Sequence, residues 1–147
     1  MSAGARTDRF LSLSAGLTGF NRVELLGTGM THAYLRTLEE VLPTGMLDAL
    51  LERAPLDATG SLAELLAHGD LGPVARNLIL LWYGGTWTPL PDEWRAVHGT
   101  SPLDVRRVVT PEAYVAGLQW AVAAAHPVGA RQQGFGAWAM PPEAVEA

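Results

Sequence analysis

The four histidines are the side chains of this 147-residue chain best suited to proton transfer or metal binding. They are widely separated, and none forms a local pair such as H-x-x-x-H. The positions are His32, His68, His98 and His126. His98 is the strongest candidate base or ligand, because Asp92, Glu93 and Asp104 are near it in the sequence. Surface or capping roles are the more common reading of isolated histidines, so the pattern predicts no metal site.

The sequence also contains no recognisable motif for a catalytic nucleophile or for nucleotide binding. The chain has no cysteine and no G-x-S-x-G elbow. Gly27-Thr-Gly29 lacks the third glycine of a dinucleotide fingerprint and follows no strand pattern. Adjacent carboxylates, as in Asp92-Glu93, diverge on a helix and do not form an acid–base pair. The sequence therefore predicts no catalytic residue and no bound cofactor.

Composition restricts the class of protein. The chain is 48% hydrophobic and 17% charged, with a formal net charge of −5. Its basic residues are scattered, Arg106-Arg107 being the only adjacent pair, which argues against nucleic acid as a ligand. No apolar run is longer than that of Leu78–Tyr83, which is too short to span a membrane. We expect a single domain over 1–147 with apolar surface left for a partner.

The elements that carry these residues are predicted to be helices. Apolar spacing, caps and proline stops indicate an all-α, compact bundle of about five to six helices. The predicted helices begin at Thr7, Thr28, Gly45, Ser61, Asp70 and Thr110. Ser61 and Glu64 have the form of a capping box, and Gly84-Gly85 ends the most apolar helix. We expect a flexible N-terminus over 1–6, a long irregular loop over 86–109 and an extended C-terminal tail over 127–147.

Aromatic side chains in the loop and the tail are the most distinctive feature. Trp87, Trp94, Phe135 and Trp138 lie in proline- and glycine-rich segments, where large rings need a surface to cover them. Tryptophan and arginine are favoured interface anchors. The predicted partner interface therefore comprises Trp87, Trp94, Arg106, Arg107, Phe135 and Trp138. The alternative is that the loop and tail fold back over their own helices, and the two readings are compatible.

Several segments resemble a known family. They are Phe10–Phe20, Leu81–Trp87, Thr110–Trp120, Ala125–Ala130 and Gly134–Trp138, in this order. Together they resemble the small, gamma-type subunits of bacterial flavin-dependent sugar dehydrogenases, the sorbitol and fructose dehydrogenase small-subunit type. This type is related to the glucose dehydrogenase gamma subunit and to gluconate 2-dehydrogenase subunit 3.

The resemblance implies a non-catalytic subunit that binds, stabilises and assists the folding of a large FAD-dependent dehydrogenase of the glucose-methanol-choline group. FAD would belong to that partner, and a cytochrome subunit commonly completes such complexes. It also implies a periplasmic or membrane-associated assembly. Residues 1–9 contain no twin-arginine or hydrophobic signal, so a cytoplasmic location is the alternative. Two other functions stay open: a self-contained enzyme using His98 or His126, and a small-molecule binding domain.

Overall fold

A computed structural model describes residues 1–57, 60–99 and 101–124 of the chain. The protein is all-α and compact, as predicted, with one two-stranded antiparallel ladder. In chain order the elements are α1 (Ala3–Thr18), α2 (Arg22–Gly27), α3 (Thr31–Val41), α4 (Met46–Leu51), α5 (Ser61–Ala67), α6 (Leu71–Gly84), β1 (Thr86–Trp87), α7 (Asp92–His98), β2 (Arg107–Val108), α8 (Pro111–Ala116) and α9 (Leu118–Val122). None of the helices in these ranges has the length and apolar character needed to cross a bilayer.

Helix α6 is the centre of the core. It packs against α1, α4, α5, α9 and β1, which its apolar composition explains. Its Trp82 is fully buried, stacked on Phe10 at 6.0 Å between ring centroids and edge-on to Tyr34 at 4.8 Å. The helix ends where predicted, at Gly85 in the left-handed conformation.

Helix α1 begins earlier than predicted and runs further. Ser2 caps it by accepting a hydrogen bond from the Ala5 N–H, so residues 3–6 are helical and the expected flexible N-terminus is wrong. Gly16 lies inside this helix. A β carbon there would come within 2.7 Å of the Leu56 β carbon, so this glycine allows close packing.

The capping box is also at a different place from the predicted one. Asn21 and Glu24 form it at the start of α2, a helix that the sequence analysis missed. Ser61 is instead the first residue of α5, preceded by Gly60, and its hydroxyl contacts Asp57. Predicting Ser61 as a cap was wrong because Asp57 takes its hydroxyl.

Residues 86–109 are more regular than predicted. They contain β1, α7 and β2, with Thr86 paired to Val108 and Trp87 to Arg107. An irregular loop was therefore the wrong prediction for this segment. We call residues 86–109 the excursion.

The chain then returns to helix at the predicted signal. The Thr110 hydroxyl accepts a hydrogen bond from the Ala113 N–H, and Pro111 takes the first helical position. Gly117 interrupts what was predicted as one helix into α8 and α9. The predicted tail over 127–147 lies outside the described residues.

Candidate partner-binding surface

The two tryptophans of the excursion are covered by the chain itself. Trp87 is 0% exposed and Trp94 is 6% exposed. The Trp94 indole N–H donates to the Asp70 carbonyl at 2.7 Å, just before α6. Neither ring is available as a surface anchor, which corrects the sequence prediction for these two positions. The alternative, that this segment folds back over its own helices, describes them correctly.

A buried carboxylate holds the excursion in this position. Asp104 is 2% exposed and accepts hydrogen bonds from the Trp87 indole N–H at 2.8 Å and from the Leu90 N–H at 3.1 Å. The Arg95 guanidinium Nε lies 3.4 Å from its other oxygen. A buried carboxylate needs such donors and a counter-charge, and Asp104 has both. Both ends of the excursion and α7 are therefore tied to one side chain.

The inward direction of Asp104 places its neighbours on the surface. Leu103, Val105 and Val108 are 43%, 48% and 50% exposed, and Arg106 between them is exposed as well. We call these four side chains the 103–108 patch. The prediction of Arg106 as an interface residue stays a prediction, with three apolar side chains now placed beside it.

Residues next to the patch contact α3 through Glu40. The Ser101 hydroxyl donates to the Glu40 carbonyl at 3.0 Å, and the Arg107 guanidinium Nη2 lies 3.4 Å from a Glu40 carboxylate oxygen. Arg107 is thus engaged within the chain. Sequence reasoning missed the apolar members of the patch, because an apolar–polar–apolar pattern does not indicate that the acid is buried and its neighbours are exposed.

The candidate base His98 has a different acidic partner from those suggested by the sequence. Its Nε2 is 2.9 Å from an Asp70 carboxylate oxygen, and its ring packs on Trp94 at 4.6 Å between centroids. Asp104, a predicted neighbour, faces Trp87 and Leu90 instead. The pair joins α7 to the residue before α6, which is a structural role for His98.

His68 has a capping role, in agreement with the reading given to isolated histidines. Its Nδ1 accepts from the backbone N–H groups of Asp70 at 3.2 Å and Leu71 at 3.1 Å, which otherwise lack partners at the start of α6. His68 and Asp70 also line an open cavity of about 590 Å³, together with Glu52 and Arg53.

The described residues contain no group of three or more histidine, aspartate or glutamate side chains arranged to hold a metal ion. His126, Phe135 and Trp138 lie outside these residues, and the predictions made for them stay predictions. Comparison of the chain with protein-family models, with curated proteins and with solved structures finds no match.

Proposed function

We propose that this protein is a non-catalytic small subunit that binds and stabilises a large FAD-dependent sugar or alcohol dehydrogenase of the glucose-methanol-choline type. The resemblance of five ordered segments supports the class of partner. The observation that carries a binding role is the 103–108 patch, an apolar surface with a cation at its centre. In the proposed complex, FAD and the catalytic residues belong to the large subunit.

The patch has the physical properties of an interface centre. Its backbone is fixed by Asp104, Ser101 and Arg107, so little conformational entropy is lost when a partner covers it. Apolar burial contributes about 25 cal/mol per Å², and a standard interface hides roughly 800 Å² on each side. Arg106 has five donors suited to a carboxylate of the partner. These features favour a stable contact with a largely apolar, locally acidic surface.

Co-expression with a large FAD-dependent dehydrogenase subunit of the glucose-methanol-choline type from the same organism tests the proposal. We expect the two chains to co-purify with bound flavin, and the large subunit to be less soluble when expressed alone. Val105→Ser with Arg106→Glu should weaken association by at least about 2 kcal/mol if the patch is the interface centre. Leu80→Ser is the matched control, because Leu80 is 52% exposed on α6, outside the patch. Undiminished co-purification of the double variant would assign the contact elsewhere.

A self-contained enzyme is the second candidate function, favoured by the His98–Asp70 pair near the 590 Å³ cavity. A carboxylate can orient an imidazole and stabilise its protonated form during proton transfer. This candidate requires substrate turnover by the isolated chain and its loss in His98→Ala. Preserved folding of that variant, measured by circular dichroism, would separate lost chemistry from lost structure.

A further inference from the structure

An apolar groove lies on the side of the molecule formed by α2, α8 and α9. It consists of two adjoining cavities of about 310 and 420 Å³ that share Thr28 and Ala116. The other lining residues are Phe20, Glu24, Gly27, Met30, Pro111, Glu112, Val115, Gly117, Leu118, Trp120 and Ala121. We call this surface the α2–α9 groove.

The walls of the groove are held in place by contacts of their own. The Trp120 indole N–H donates to the Tyr114 carbonyl at 2.8 Å, and the two rings meet edge to face at 5.6 Å. Phe20, which also lines the groove, packs edge-on against Tyr83 at 6.1 Å between ring centroids. Gly27 lines the groove and is exposed, and an added β carbon there would meet no atom within 4 Å. The groove is thus a preformed space with aromatic sides.

We propose that the groove binds part of the chain's own C-terminal segment, residues 125–142, through Phe135 and Trp138. The described fold ends at Ala124, two residues after α9, so this segment starts at the edge of the groove. Ten residues lie between Ala124 and Phe135, and an extended chain covers up to about 3.5 Å per residue. The reach is ample for either ring to enter the space between α2 and α8.

Charge complementarity supports the same occupant. Glu24 and Glu112 lie at the groove, one in each cavity. Residues 125–142 contain Arg131 and His126 and no acidic side chain; the first acid is Glu143. A segment of this composition is attracted to two carboxylates while its aromatic residues enter the apolar space. The inference does not rest on the proposed function, and it assigns Phe135 and Trp138 to the chain's own fold.

Disulfide trapping tests the proposal cleanly, because the full chain has no cysteine. Gly27→Cys with Ala137→Cys places one thiol in the lining of the groove and the other between Phe135 and Trp138 in the sequence. Gly4→Cys with Ala137→Cys is the matched control: Gly4 is also a helical glycine facing open space. It lies about 20 Å along α1 from the Phe20 end of that helix.

Docking in the groove should make the intramolecular disulfide of the first pair form roughly tenfold faster than that of the control, through a higher effective concentration.

Hydrogen exchange is the second measurement. Phe135→Ser with Trp138→Ser should raise the exchange rate of the α2 and α9 amides by roughly tenfold and leave the rate of the α5 amides unchanged. Equal trapping rates, a disulfide only between two molecules, or unchanged exchange would each overturn the proposal. All three outcomes are read on the isolated chain, independently of any dehydrogenase.

Discussion

Asp104 is the residue on which the order of the excursion depends. It accepts hydrogen bonds from Trp87 and Leu90 and lies beside the Arg95 guanidinium. From the sequence it was only one of several acids near His98. Its role depends on pairings across 14 and 17 residues, which local spacing does not encode.

Replacing this carboxylate should therefore be costly. Asp104→Ala is expected to lower the free energy of unfolding by about 3 kcal/mol, because it leaves buried donors without an acceptor. Asp92→Ala is the control: Asp92 is fully exposed and lies 3.8 Å from Arg95, so it should change stability by less than about 0.5 kcal/mol. Urea titration of both variants measures the difference. Equal stabilities would show that the excursion is held by apolar packing alone.

Tyr34 is a buried polar residue that, unlike Asp104, has no hydrogen-bond partner for its side chain among the described residues. Its ring is fully buried against Trp82. Tyr34→Phe should leave the free energy of unfolding unchanged or raise it by up to about 1 kcal/mol. Tyr83→Phe is the matched control, expected to lose about 1 kcal/mol, because the Tyr83 hydroxyl donates to the Thr18 carbonyl at 3.0 Å.

Tyr34 also makes the free energy of unfolding depend on pH in the alkaline range. Burial raises the pKa of Tyr34 above its ordinary value of about 10. Above that pH the unfolded chain loses the phenol proton while the folded chain keeps it, so stability falls as pH rises toward the folded pKa. The decline between neutral pH and about pH 11 should be smaller in Tyr34→Phe. An identical decline in both proteins would locate the alkaline sensitivity in other groups.

At the scale of elements, the start of α8 and the end of α6 were predicted well from local signals. Thr110 and Pro111 start α8, and the glycine pair ends α6, because a cap and a left-handed residue act over one turn. The order of the excursion could not be predicted in this way. Trp87 and Trp94 lie in a proline-rich segment, and their burial depends on long-range contacts. The Trp87 indole N–H donates to Asp104, and the Trp94 indole N–H donates to the Asp70 carbonyl just before α6. Apolar composition alone does not distinguish a ring covered by its own chain from one covered by a partner.

The end of α6 also depends on tertiary packing, which gives a prediction for this element. Gly85 has a φ of +67°, and an added β carbon would overlap the Ala113 carbonyl. Gly29, with a φ of +72°, has no atom within 4 Å of that position. Gly29→Ala should lose about 1–2 kcal/mol from backbone strain alone, and Gly85→Ala should lose roughly 1–3 kcal/mol more. Thermal or urea unfolding checks the order. Equal losses would mean that α8 shifts to accept the methyl group.

At the scale of the whole molecule, the excursion and the helices share one core. Trp87, Leu90 and Trp94 belong to the same buried cluster as Phe10 on α1 and Trp82 on α6. The excursion is therefore part of the core, and Trp87 and Trp94 are covered by this chain and not by a partner. This arrangement also explains why the 103–108 patch can be both apolar and rigid.

A shared core predicts cooperative unfolding of the excursion with the helices. Tryptophan fluorescence reports on all five tryptophans, two of which, Trp87 and Trp94, lie in the excursion. It should follow the same urea transition as helix content measured by circular dichroism. Asp104→Ala should separate the two curves, with fluorescence changing first, because it releases the excursion while α1 and α6 remain packed. If the curves of the unaltered chain already differ, the excursion unfolds on its own. Its tryptophans would then become accessible to a partner through local unfolding, restoring them as candidate contacts in an opened state.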